Sequence, residues 1–318
     1  IEPFGFGRAI YINHPNGLTT LYAHLNNFYP ELEKYITVQQ YLKESWAIEL
    51  SFLPNQFPVN KGSFIAYSGN TGGSQGPHLH FEIRDTKTGK CLNPLLFGFP
   101  LQDKVPPTLV KLAMYDRSFG LYEQSAQFFS LKNTGSGYTI PKLPVLKTGL
   151  NKISFAIQAY DRISGSNNQD GIYSAKLFVD ETPVVGFVID SISYDETGYM
   201  NAHIDYRYKH NGGPWLQHLS QLPGDRGPVY KQYSGDGIIS LSDTNTHRIR
   251  VEIKDAYGNS VDLNFLIQYD ETLSKPSVHS SAHSHFSPGL VNVLEKNDFE
   301  AYLPEECLYD TVPALYYS

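Results

Sequence analysis

Cysteine is almost absent: Cys91 and Cys307 are the only two in 318 residues. They form no C-x-x-C motif and no disulfide framework, which excludes a small disulfide-stapled scaffold. Such sparing use suits the cytoplasm and a bacterial envelope alike. Charge is also thin, at 18 % of residues with a formal net charge of −7. Lys and Arg gather in no block, which argues against a general nucleic-acid binder and against a basic membrane-surface patch. No apolar run approaches the length of a membrane span, and no signal peptide is present. The chain reads as cut at both ends, starting at Ile1 almost directly on a strand and stopping at Ser318 in an apolar, Tyr-rich stretch.

Aromatic residues are plentiful, with 23 Tyr and 18 Phe. Tyr falls in alternating stretches, which favours β structure. The length suggests two or three domains, and 41 % apolar residues suffice for sizeable cores. Residues 1–98 read as one β-rich unit. Arg8–Asn13 and Leu18–Leu25 form a hairpin around the Pro-Asn-Gly turn of His14–Gly17. Pro30–Trp46 carries helix formers with apolar spacings near three and four, and reads as a helical insertion. Val59–Gly62 is a turn, and Ser63–Ser68 and His78–Arg84 are strands.

Residues 99–107, with three prolines, form a linker. Residues 108–270 alternate short strands with polar turns and show no helical period, which points to a β-sandwich resembling bacterial immunoglobulin-like domains. Asp255–Asn259 is its clearest hairpin turn, and residues 200–232 are an irregular excursion. Asp161, Asp170, Asp180 and Asp195 lack calcium-loop spacing and read as turn residues. Residues 271–285 read as a Ser- and His-rich second linker, and the stretch to Ser318 as the start of a third β unit. The fold class is therefore mainly β.

The chemistry concentrates in Gly69-Asn-Thr-Gly-Gly-Ser-Gln-Gly-Pro-His78-Leu-His80-Phe-Glu-Ile-Arg84. On a strand, side chains two apart share a face. His78, His80, Glu82 and Arg84 should then line one face, with Leu79, Phe81 and Ile83 in a core. On Leu18–Leu25 the same alternation puts Thr20, Tyr22 and His24 on one face and Leu21, Ala23 and Leu25 on the other. Adjacent strands would bring three imidazoles to one groove, suited to metal binding or proton transfer. The same H-x-H spacing at His283-Ser-His285 sits in a polar linker and reads as solvated chain. Glu82 reads either as an acceptor that orients an imidazole or as a solvent-facing carboxylate. The loop Gly69–Gly76 lacks the Lys-Ser/Thr ending of a phosphate loop and leads into a strand. It reads as a groove wall where Asn70 and Thr71 could meet a substrate backbone, with Tyr22 lining the groove or packing.

This run, preceded by Leu21-Tyr-Ala-His-Leu25 and the Val59–Gly62 turn, resembles the M23 metallopeptidases, the LytM or lysostaphin-like cell-wall hydrolases. The resemblance covers about residues 4–98. It implies a LytM-type antiparallel sheet and a Zn²⁺ enzyme that cuts peptidoglycan peptides, hence a location in the cell envelope. It implies His80 as a zinc ligand and His24 and His78 as an unliganded catalytic pair. The family's other two ligands come from an upstream H-x-x-x-D motif, and no His here has Asp four residues later. A single ligand should not hold catalytic zinc. The sequence therefore reads as a fragment of an active enzyme, with a natural pseudo-peptidase as the competing reading. A non-catalytic LytM-like module that binds peptidoglycan or activates another hydrolase, and a sandwich adhesion protein carrying a remnant first unit, are the rival functions.

Overall fold

The computed structural model describes residues 1–274 and 284–316. The chain divides into two compact units, Ile1–Pro94 and a second beginning at Leu95. Both are built mainly of antiparallel strands, and among the described residues no helix is long and apolar enough to cross a membrane.

In the first unit, β1 (Ile10–Asn13) and β2 (Leu18–Ala23) form the expected hairpin. Gly17 closes it at φ 81°, a conformation that costs glycine little. On its other side β2 pairs antiparallel with β5 (His80–Asp85), which pairs with β6 (Cys91–Leu92). A separate two-stranded ladder joins β3 (Leu25–Phe28) to β4 (Ala66–Ser68). The expected helical insertion is α1 (Pro30–Leu42), with proline in its first turn, where a missing N–H costs nothing. Leu32 and Ile36, one turn apart, are its buried residues and pack with Leu25, Phe28 and Ile48. Glu33 fixes the helix at its start: it accepts from Arg8 Nη2 at 2.6 Å and from the Phe28 backbone N–H at 2.8 Å.

Two expectations about strand faces fail. Leu79 is exposed, because regular pairing begins only at His80 and His78 makes an isolated bridge with Gly69. Strand β2 ends at Ala23, and His24 is a left-handed break with φ 56°.

The second unit has two sheets sharing one core. One has the antiparallel strands Ser174–Val179, Thr246–Lys254 and Ser260–Tyr269 at its centre. The other is built around Thr108–Asp116 and Lys152–Tyr160. Leu112, Phe155, Ile157, Leu177, Val251 and Ile267 belong to the shared core, and the Phe155 and Phe265 rings meet edge-on across it. The 200–232 excursion contains two short helices, Met200–His203 and Tyr206–His210. Residues 284–316, set apart above as the start of a third unit, contact the second: Asp310 pairs with buried Arg117 at 2.9 Å. Of the expected linker at 271–285, residues 275–283 lie outside the described residues, His283 among them. Ser284–Phe286 is not solvated chain but a strand paired with Val312–Ala314.

Candidate active site

His24, His78 and His80 offer nitrogen atoms that all lie within 4.8 Å of one another. The His24 ring centroid is 4.7 Å from that of His78 and 5.6 Å from that of His80. Burial is graded: His24 is buried, His80 half-buried and His78 exposed.

The strand register shows why the break at His24 matters. Ala23 lies opposite His80, Tyr22 opposite Phe81 and Leu21 opposite Glu82. Residues directly opposite share a sheet face, so His80 and Glu82 lie on the face of Ala23 and Leu21. Tyr22 shares the other face with Phe81, and their rings are 5.3 Å apart. A straight strand would carry His24 to the Tyr22 side, away from His80, contrary to the convergence expected from alternation alone. The left-handed residue reverses it. Backbone bonds from His24 N–H to the Phe6 carbonyl (3.0 Å) and from Leu25 N–H to the Arg8 carbonyl (2.9 Å) hold this turn. Left-handed backbone is unfavourable for a residue with a Cβ, and strain of this kind collects at functional sites.

The glycine-rich loop is seated by contact of backbone on backbone. Gly72 has φ 74°, and a Cβ there would lie 2.4 Å from the Gly7 nitrogen. A Cβ on Gly7, at φ 64°, would lie 2.5 Å from the Thr71 carbonyl carbon. Neither position admits a side chain. The close approach sets Thr71, whose hydroxyl accepts from Arg8 N–H (2.9 Å) and donates to the Leu25 carbonyl (2.8 Å).

Each imidazole has one nitrogen committed. His24 Nδ1 lies 2.8 Å from the Thr71 carbonyl oxygen, and His78 Nδ1 lies 2.8 Å from the Gly76 carbonyl oxygen. A carbonyl only accepts, so in both rings Nδ1 carries the hydrogen and Nε2 keeps a lone pair. His80 is the reverse. Its Nε2 lies 2.6 Å from Glu82 Oε1, which leaves the lone pair on Nδ1. The solvent-facing reading of Glu82 fails, since it is buried and also accepts from Arg84 Nε (2.7 Å) and Cys91 Sγ (3.3 Å). Burial, then the hydrogen bond and charge of Glu82, push the Cys91 thiol up to about 11, so it stays a donor. Phe6 packs on the His80 ring at 5.3 Å.

Of the residues expected to meet substrate, Asn70 is exposed beside the loop. Thr71 bonds inward and Tyr22 packs on Phe81. The carbonyls of Thr71 and Gly76, which set two of the three tautomers, have no side-chain signal in the sequence.

Residues 33–94 match Peptidase family M23, a stretch that includes His78 and His80. The chain is similar to the DD-carboxypeptidase/endopeptidase Mpg of Neisseria meningitidis serogroup B, 34 % identical over 96 residues, which is 30 % of this chain and 16 % of that protein. It is 32 % identical over 96 residues to an uncharacterized metalloprotease of Haemophilus influenzae, covering 30 % of this chain and 15 % of the relative. The chain thus spans about one sixth of the curated relatives it matches. No solved structure matches.

Proposed function

We propose that the first unit belongs to a zinc metalloendopeptidase that hydrolyses peptide bonds of peptidoglycan in the bacterial cell envelope. The observation that carries this reading is the trio of imidazoles with fixed tautomers, each with one nitrogen anchored and one lone pair left. The M23 match and the relatives' names support the same chemistry.

Imidazole nitrogen is a ligand that zinc takes readily. His80 would hold the ion through Nδ1, with Glu82 fixing the ring from behind. Bound zinc supplies a Lewis acid and a more acidic water. Catalytic zinc has three protein ligands, and the H-x-x-x-D motif that the resemblance assigns to the other two is not in this sequence. Metal loading is in this reading a property of the full-length protein. His24 and His78 do the proton work through Nε2. One accepts the proton of the attacking water, and the other, once protonated, donates a hydrogen bond to the developing oxyanion. Exposed His78 is the member a substrate reaches first, while the Thr71 carbonyl holds buried His24 in place. The exposed Asn70 is the side chain placed to meet an extended peptide.

The test is release of muropeptides from purified sacculi by the full-length protein. His78→Ala should lower release about 100-fold or more, the range of general acid–base catalysis, while sacculus binding persists. Equal release by both proteins would favour the second reading, a non-catalytic module that binds peptidoglycan or activates another hydrolase. That reading has one observation in its favour: among the described residues no carboxylate joins the three histidines as a potential ligand.

A further inference from the structure

The second unit carries a cluster that the peptidase chemistry does not use. Asp103, Asp161 and Asp255 come from three separate segments, yet one carboxylate oxygen of each lies within 4.8 Å of the others. Asp161 follows the strand Lys152–Tyr160, Asp255 opens the turn after Thr246–Lys254, and Asp103 lies in the Pro-rich segment before Thr108. Reading Asp161 as an ordinary turn residue is therefore incorrect: it is 5 % exposed, and Asp255 is 2 % exposed.

Two of the carboxylates are clamped by donors on one side. Asp103 Oδ1 accepts from Ser164 N–H (2.9 Å), Ser164 Oγ (2.9 Å) and Val105 N–H (3.1 Å). Asp255 Oδ1 accepts from the backbone of Tyr257 and Asn259, and its Oδ2 accepts from Asn259 Nδ2. The backbone of Asp161 is held by paired bonds with Asp170 at 2.8 and 2.9 Å. Against this preorganised frame, Asp161 Oδ1 and Asp103 Oδ2 are both buried with no hydrogen-bond partner. None of the ion pairs among the described residues involves any of the three carboxylates. A buried carboxylate oxygen without a partner, set beside two other carboxylates, is costly.

We propose that Asp103, Asp161 and Asp255 form a structural Ca²⁺ site. A donor set of oxygen atoms alone selects hard cations over zinc. Calcium bonds of roughly 2.3–2.6 Å put two ligands on one ion at most about 5 Å apart, which accommodates the observed span. Magnesium demands a regular octahedron at shorter distance, whereas calcium tolerates the irregular set that three unrelated segments supply. Water and nearby carbonyls complete its coordination. The ion would neutralise the two unpartnered oxygens and tie the segment before Thr108 to the loop after Tyr160 and the hairpin at Asp255.

The test is Ca²⁺ titration of the chelator-treated full chain, by calorimetry and by thermal unfolding. One ion should bind per chain, with a rise in Tm of several degrees. Asp161→Asn and, separately, the less buried Asp103→Asn should weaken Ca²⁺ binding about 10-fold or more and remove the rise. Asp161→Asn should also raise Tm in chelator, because the buried charge is gone. No Ca²⁺-dependent heat or Tm change up to about 10 mM, roughly tenfold above the Kd of about 1 mM of the weakest extracellular modules, would overturn the proposal. So would unchanged Ca²⁺ affinity in folded Asp103→Asn, or tighter binding of Mg²⁺ or Zn²⁺ abolished by that same substitution.

Discussion

Glu82 joins three side chains of the first unit. It receives His80, Arg84 and Cys91 on one buried carboxylate. Glu82→Ala should destabilise the unit by about 2–3 kcal/mol, because it removes the buried carboxylate to which Arg84 Nε and His80 Nε2 are bonded. Urea unfolding measures this. The same change should weaken zinc affinity of the full-length protein about 10–100-fold, the usual effect of losing a residue that orients a metal-binding histidine. The thiols offer a simpler check. Cys307 is exposed, whereas the Cys91 thiol is pushed up to about 11. Thiolate is the reactive form, so at pH 8 alkylation followed by peptide mapping should find Cys307 modified well before Cys91. The sequence placed Glu82 near the histidines but left its burial open, since Cys91 arrives from the next strand.

At the scale of elements, the hairpin, the helix and the H-x-H strand were legible because each has a local signature: a Pro-Asn-Gly turn, apolar spacing, alternation. The break at His24 was not. Leu18–Leu25 alternates without a flaw, and nothing in its composition calls for a left-handed residue. The reversal is imposed by Phe6 and Arg8 on one side and Thr71 on the other. Substitutions at this position should therefore rank in an unusual order. Both His24→Ala and His24→Gly remove the ring, but glycine carries no left-handed penalty. His24→Gly should be the more stable by about 1 kcal/mol in denaturant unfolding, with both variants inactive on sacculi. A more stable alanine variant would show that the backbone at 24 is extended in solution.

Across the whole molecule, long-range contacts decide what single segments cannot show. The acidic cluster joins residues 103, 161 and 255, and no spacing rule on one loop reveals it. The buried histidines of the second unit are another case. His218 is 1 % exposed, and neither ring nitrogen has a hydrogen-bond partner. Burial and the neighbouring Arg117 charge push its pKa down to about 3, and the Ile204 backbone, the smallest influence, opposes them. The folded pKa lies below the unfolded one. As pH falls from 6.5 toward 3, the unfolded chain therefore takes up a proton that the folded chain refuses, and stability drops. His218→Leu, similar in volume and without a buried polar group, should be neutral or stabilising at pH 7. Its Tm advantage over wild type should widen between pH 7 and pH 5, as differential scanning calorimetry would record. A constant difference across that range would mean that His218 titrates alike in the folded and unfolded chain.

The left-handed residue at position 24 acts as a phase shift in a structure that otherwise counts by twos. A strand could restore the facing by inserting one residue; this chain does it with one strained dihedral, held from outside the strand. Release of that hold would let β2 run straight and swing the ring to the Tyr22 side, while the pairing of β2 with β5 stayed whole. The imidazole cluster can thus be taken apart without unfolding the sheet beneath it. A spectrum that reports only secondary structure would not register the loss.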